Sequence, residues 1–307
     1  MAFYQIATGA NHGLRFTPET VIGETPSTPT MAELSYTGTT LGMSRSELES
    51  ANIRPDRQVA YADSGRETVG GDISFELNPK EYDPLLAGVL FGEWDDDVLT
   101  IGTKLQTFTI ESAFTDMQKY LQYVGCAIDK MTLNFSPEAY VTGSFSVVGL
   151  SAALASWPLS GSPTPTQATG AFNSFTGWLK IDGEEIAVIS SLDLTVENAL
   201  TAEAALFRRS AVALGYGNSK VSGSLSAYML SGDTLAQKYY QDVKVSMEVQ
   251  MQRDGVTYTL LAPRVAFTGL QNPVNSTAKI EQNITWKAAV DPISGKSFQI
   301  TRSFPTP

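Results

Sequence analysis

The sequence predicts an all-β protein with short flanking helices, built as two tandem units. Apolar and polar residues alternate with period two through most of the chain, which puts one face of each segment in a core and the other at a surface. Helical periodicity is confined to two short stretches. The order of element types in the first half then returns in the second.

The first distinctive element is a long polar stretch, Ser44 to Thr68, which mixes both charge signs through Glu47, Glu49, Arg54, Asp56, Arg57, Asp63, Arg66 and Glu67. Polar stretches of this length are uncommon unless functional. Mixed charge on a projecting arm suits docking to an oppositely patterned neighbour, and the plain alternative is a flexible surface hairpin. Residues 71–77 follow, with Ile73, Phe75 and Leu77 on one face against Asp72, Ser74 and Glu76 on the other. After Asn78-Pro79, where the proline fits a helix start, Tyr82, Leu85, Leu86, Val89 and Leu90 keep helical spacing. Strand patterns resume at Lys104 to Glu111, at Met131, Leu133 and Phe135, and at Val141, Phe145 and Val147.

Ser151 to Ser174 is rich in Ser, Pro, Thr, Gly and Ala, reads as a linker, and divides the chain into domains at 1–150 and 175–307. Beyond it a second polar stretch, Thr195 to Lys220, includes Arg208-Arg209, and Gly215 to Asn218 reads as a hairpin turn. The strand Val221 to Met229 resembles Val69 to Leu77. A second short helix follows with Asp233 as its N-cap and Leu235, Ala236, Tyr239 and Tyr240 behind it. Val243, Val245, Met247, Val249 and Met251 then alternate regularly, another strand ends at Phe267, and a third runs through Ile280, Ile284 and Trp286. The same succession of polar arm, strand, short helix and three strands thus occurs twice, which reads as a duplication.

Composition narrows the function. The 307 residues are 42% hydrophobic and 17% charged, enough apolar surface for a core and too little charge for disorder. No apolar run approaches the ~18 residues of a membrane helix, and Met1 to Ala10 lack the features of a secretory signal. The net charge of −11 and the absence of a dense basic run oppose gripping nucleic acid, while an acidic surface suits tolerating it.

Catalytic chemistry is hard to find. His12 is the only histidine and reads as a surface residue in an N-terminal loop, which removes most metal sites and most Ser-His-Asp arrangements. Cys126, the only cysteine, sits in a strand context and reads as a small core residue. Asp95-Asp96-Asp97 lacks the alternation and glycine of a calcium loop and reads as a solvated loop. No catalytic residue, metal site or cofactor is expected.

The polar arm and its flanks carry a family likeness. Gly23-Glu24-Thr25-Pro26-Ser27-Thr28-Pro29, Ile53-Arg54-Pro55-Asp56-Arg57-Gln58 and Val69-Gly70-Gly71-Asp72-Ile73-Ser74-Phe75-Glu76-Leu77 together resemble the major tail tube proteins of long-tailed, siphovirus-like bacteriophages. The close likeness covers about the first 90 residues, and the rest depends on element order. The resemblance implies a tail-tube β-sandwich or barrel with a flanking helix, also seen in type VI secretion tubes. Six such units would close a ring whose inner strands form one barrel around a channel.

Glu47, Glu49, Arg54, Asp56, Arg57, Arg66, Glu67, Arg208 and Arg209 would belong to arms reaching the adjacent ring, and Asp72, Glu76 and Glu111 would face the channel. The implied partners are other copies of the chain, tail terminator, tape measure and tail tip proteins, and double-stranded DNA in passage. The implied location is the virion tail, assembled in the host bacterial cytoplasm. Two units per chain would make the ring a trimer. The competing readings are a carbohydrate-binding or adhesive β-domain pair, with an exposed aromatic patch, and an all-β hydrolase, with a carboxylate-lined pocket.

Overall fold

The alternating segments form antiparallel strands in a computed structural model that describes residues 6–166, 170–231, 234–274, 276–277 and 279–305. The first half runs β1 (His12–Pro18), β2 (Ala32–Leu34), β3 (Gly38–Thr39), β4 (Gly42–Glu49), β5 (Ala62–Glu76), α1 (Asp83–Leu90), β6 (Trp94–Asp95), β7 (Val98–Thr100), β8 (Phe108–Phe114), β9 (Lys119–Phe135), β10 (Thr142–Gly149) and β11 (Ser151–Ala155). The second half runs β12 (Gly177–Ile181), β13 (Glu184–Glu185), β14 (Ile189–Glu197), β15 (Thr201–Glu203), β16 (Ala213–Gly215), β17 (Lys220–Tyr228), α2 (Thr234–Tyr240), β18 (Val245–Arg253), β19 (Val256–Gln271), β20 (Glu281–Ala288) and β21 (Gln299–Ser303). This is the all-β fold with short helices that the periodicity predicts.

One antiparallel run, β4–β5–β10–β9–β14–β17–β20–β19, spans both halves. Its buried face carries Val69, Ile73, Phe75, Phe145, Val147, Met131 and Leu133 from the first half. The second half adds Leu192, Leu194, Val196, Leu225, Ile284 and Trp286 to the same continuous core. A second layer backs each half: β2–β1–β8–β9–β11 in the first, and β13–β12–β18–β19–β21 in the second. The long strands β9 and β19 serve both layers. In β9 the change of layer passes through Gly125, whose φ of +67° suits glycine and whose added Cβ would lie 2.6 Å from Leu150 Cδ1.

Six strand pairings of the first half recur in the second. β1–β8, β4–β5, β5–β10, β8–β9, β9–β10 and β9–β11 correspond to β12–β18, β14–β17, β17–β20, β18–β19, β19–β20 and β19–β21. Bulges set the correspondence to the residue. In β9 the register slips between Ile128 and Lys130, in β19 between Phe267 and Gly269. Gly71 and Gly223 lie at matching positions one strand further along. A Cβ on either would strike the next strand, 2.5 Å from Thr40 O and 1.9 Å from Asp193 O.

Several details differ from the sequence reading. The first helix starts at Asp83, not after Pro79, and the proline in its first turn is Pro84. Almost all of α1 is buried, packed against β9, β14 and β7. The second helix begins at Thr234, and the expected cap Asp233 lies outside the described residues. The segment read as a linker is built into the fold at both ends: Ser151–Ala155 is strand β11, and Phe172 is buried with its N–H donated to Leu77 O. Gly215 closes β16, so the hairpin turn of the second arm lies earlier, between β15 and β16.

Candidate functional site

The two polar stretches form matching arms at the same end of the long sheet run. β4 and β5 continue past the sheet as a hairpin, pairing Leu48 with Asp63 and Glu49 with Ala62. β15 and β16 repeat this, pairing Thr201 with Gly215 and Ala202 with Leu214. Apolar side chains stand in solvent along both arms: Leu48, Ile53, Val59 and Tyr61 on the first, Leu206, Phe207 and Val212 on the second. Exposed apolar groups clustered on projecting arms mark an interaction surface.

The expected arm residues divide by position. Glu47, Glu49, Arg54, Asp56, Arg57, Arg208 and Arg209 are exposed. Arg54 is held by a bidentate pair with Asp56, at 2.9 and 2.6 Å, which raises its pKa and lowers that of the carboxylate. Arg66 and Glu67 lie at the base and tie the second arm to the first half. The Arg66 guanidinium donates to Ala202 O, Glu67 N–H donates to Arg209 O at 3.0 Å, and Ser210 Oγ reaches Glu67. The second arm therefore lies sideways across the rim of the first half.

The outward face of the sheet run is lined by short polar side chains. Asp72, Ser74 and Glu76 share it with Thr132, Asn134, Ser144, Ser146, Asp193, Thr195, Ser224, Ser226, Asn283 and Thr285. Lys130, Lys220 and Lys287 lie on it too, with Lys130 and Lys220 opposite Glu197. Glu111 is not on this face, which corrects the sequence expectation. It sits on β8, whose two faces are both covered, and is fully buried with Arg15 Nη1 at 3.3 Å and Leu159 N–H at 2.7 Å. Alternation alone could not show that β8 has no open face.

A family model described as phage tail tube protein matches residues 9–288. The chain belongs to the phage tail tube family. No match among curated proteins was found. Membership makes the chain a structural, self-assembling tube component of the phage tail. No helix among the described residues is long and apolar enough to cross a membrane.

Within this family member, the groups weighed for chemistry are held by contacts within the fold. His12 is not a loop residue; it opens β1 and is half-buried. The Tyr36 hydroxyl donates to His12 O at 2.8 Å, so in the neutral ring His12 Nδ1–H donates to the Tyr36 hydroxyl oxygen at 2.6 Å, leaving Nε2 to accept from Ser112 Oγ at 2.6 Å. Burial lowers the imidazole pKa. Cys126 is fully buried in β9, and burial raises its thiol pKa. Asp97 is not merely solvated, since it pairs with Arg302 at 3.0 Å. Among the described residues, no group of three or more His, Cys, Asp and Glu is placed to hold a metal. A cleft of about 360 Å³ beside Phe135, Trp178, Ile186 and Met251 contains one carboxylate, Glu185, whereas glycoside hydrolysis uses a pair.

Two structural clusters escaped the sequence reading. Asp83, Tyr258, Arg302 and Asp97 join α1 and its following loop to the C-terminal strands, where β21 also pairs with β7. Glu19 accepts from Gly23 N–H, Gly125 N–H, Thr107 and Thr109 at 2.7–2.8 Å. No local motif marks either cluster, because the partners lie far apart in sequence.

Proposed function

We propose that the chain is the major tail tube subunit, that residues 1–150 and 175–307 are its two tube units, and that three chains make one ring of six units. The observation that carries this reading is the repeated strand pairing along a single sheet run. A ring of repeated units closes by a heterologous contact, and closure removes exposed edges that would otherwise aggregate.

In this reading the outward polar face becomes the channel wall. Asp72 and Asp193 stand at the same level of the two units, one on β5 and the other on β14, so a closed ring would carry a belt of carboxylates that repels phosphates. Short hydroxyl side chains lie between them, and two of the three lysines on this face, Lys130 and Lys220, stand opposite Glu197. Rings stack through the arms, with Arg54, Asp56, Arg57 and Arg208 at the tips, and double-stranded DNA passes through the channel during ejection. Tail terminator, tape measure and tail tip proteins would cap and measure the tube, assembled in the host cytoplasm and retained in the virion tail.

Electron microscopy of the purified protein at high concentration tests this. Hollow rings or tubes with three-fold symmetry and a six-lobed outline are expected. Strict six-fold rings would overturn the two-unit chain, and monomers at every concentration would overturn the self-assembling tube.

A further inference from the structure

The junction between the two halves shows what a contact between copies would look like. At that junction β14 lies antiparallel on β9, with Thr195 opposite Thr132, Val196 opposite Met131 and Glu197 opposite Lys130. By the bulge correspondence, Gly42, Met43 and Ser44 on β4 match Thr195, Val196 and Glu197. Gln271, Leu270 and Gly269 on β19 match Thr132, Met131 and Lys130. Yet the outer edge of β4 and that of β19 from Ala266 to Gln271 have no strand partner among the described residues.

Burial records the missing neighbour. Val196 is 0% exposed but its counterpart Met43 is 39% exposed; Met131 is fully buried but its counterpart Leu270 is only partly covered. The arms give a second, independent sign. Arg209 O accepts from Glu67 N–H where the second arm crosses the rim of the first half, and Ser219 stands on the rim of the second half where Glu67 stands on the first.

We infer that β4 of one copy adds to β19 of a second, with Met43 opposite Leu270 and Gly42 opposite Gln271. In the same contact the first arm, Leu48 to Ala62, lies across the second copy's rim near Ser219, as the second arm lies across the rim at Glu67 within the chain. The arm is thereby a clamp within the ring as well as a stacking element. This inference rests on the tube reading, and it supplies the residues of the joint.

Paired cysteines in a Cys126→Ala background test the register. Antiparallel partners lie about 4.5–5.5 Å apart between Cα atoms, within disulfide range. Met43→Cys with Leu270→Cys, and separately Gly42→Cys with Gln271→Cys, should give covalent ladders that close at the trimer on non-reducing gels. Met43→Cys with Gln271→Cys should not, because a one-residue slip turns the side chains to opposite faces. Rings in the microscope without these cross-links, or with only the slipped one, would overturn the joint while leaving the tube reading intact. Failure to form rings at all, in the unmutated chain, would overturn both. Replacing Ala51–Ala60 by an Asn-Gly turn isolates the clamp: ring yield should fall at least tenfold, whereas intact single rings that merely fail to stack would overturn it.

Discussion

The Tyr258 hydroxyl donates a 2.5 Å hydrogen bond to the Asp83 carboxylate, joining residues 175 positions apart. The same hydroxyl oxygen accepts from Lys80 N–H at 2.9 Å, and Arg302 covers the other carboxylate oxygen. Burial raises the Asp83 pKa against the pull of these partners. The C-terminal strands are thus fastened to the start of α1 by a polar cluster inside the core.

Tyr258→Phe removes a donor and an acceptor at once and leaves Lys80 N–H and Asp83 Oδ1 without this partner. Unsatisfied buried groups cost about 1–3 kcal/mol each, so chemical denaturation should show a loss of that order with little change in slope. An unchanged midpoint would mean water replaces the hydroxyl at no cost.

Glu19 is the common acceptor of two backbone amides and two threonine hydroxyls. Glu19→Gln replaces one acceptor oxygen by an NH2 facing a donor. Charge-assisted bonds contribute about 1.5–3 kcal/mol, so a fall of several degrees in Tm is expected. Equal melting of the two proteins would show that the four contacts are individually negligible.

His12 should make stability depend on pH. Its folded pKa lies below the unfolded value near 6.5, so the unfolded chain takes up the proton first as pH falls. Stability from the neutral ring is present above pH ~6.5 and is lost below it, until the folded pKa is passed. Melting curves of the protein and of His12→Gln between pH 7.5 and 5 should diverge, with the variant less sensitive; parallel curves would exclude the histidine as the source.

Cys126 should resist thiol reagents in the native state and react fully once unfolded, since it is buried and its thiolate is disfavoured. Cys126→Ala should cost about 1 kcal/mol and leave assembly intact. Rapid native labelling would place it at an opening of the core.

Met43 and Val196 test the non-equivalence of matched sites. Val196→Asp places a charge in the core and should destabilise the chain by ~3 kcal/mol or more, while Met43→Asp should stay within about 0.5 kcal/mol in the dissociated chain and suppress rings. Similar losses in both would show that β4 is already covered without a second copy.

The strand class, the burial of Cys126 and the recurrence of element order are legible in the chain alone, because they follow from local period and side-chain type. Ile73 and Phe75 had to face a core whichever strands lay beside them, and the polar composition of both arms kept them at a surface. Which polar residues lie inside depends on how the strands pair. Glu111 alternates like Asp72, but β8 is covered on both faces and β5 is not. His12 looked like loop surface until Tyr36 and Ser112 were brought to its ring. The physical reason is that alternation reports one buried face per strand, whereas neighbours, register and free edges are set by pairings between distant residues. Those pairings bury Val196 and leave its match Met43 in solvent, a difference no local pattern encodes.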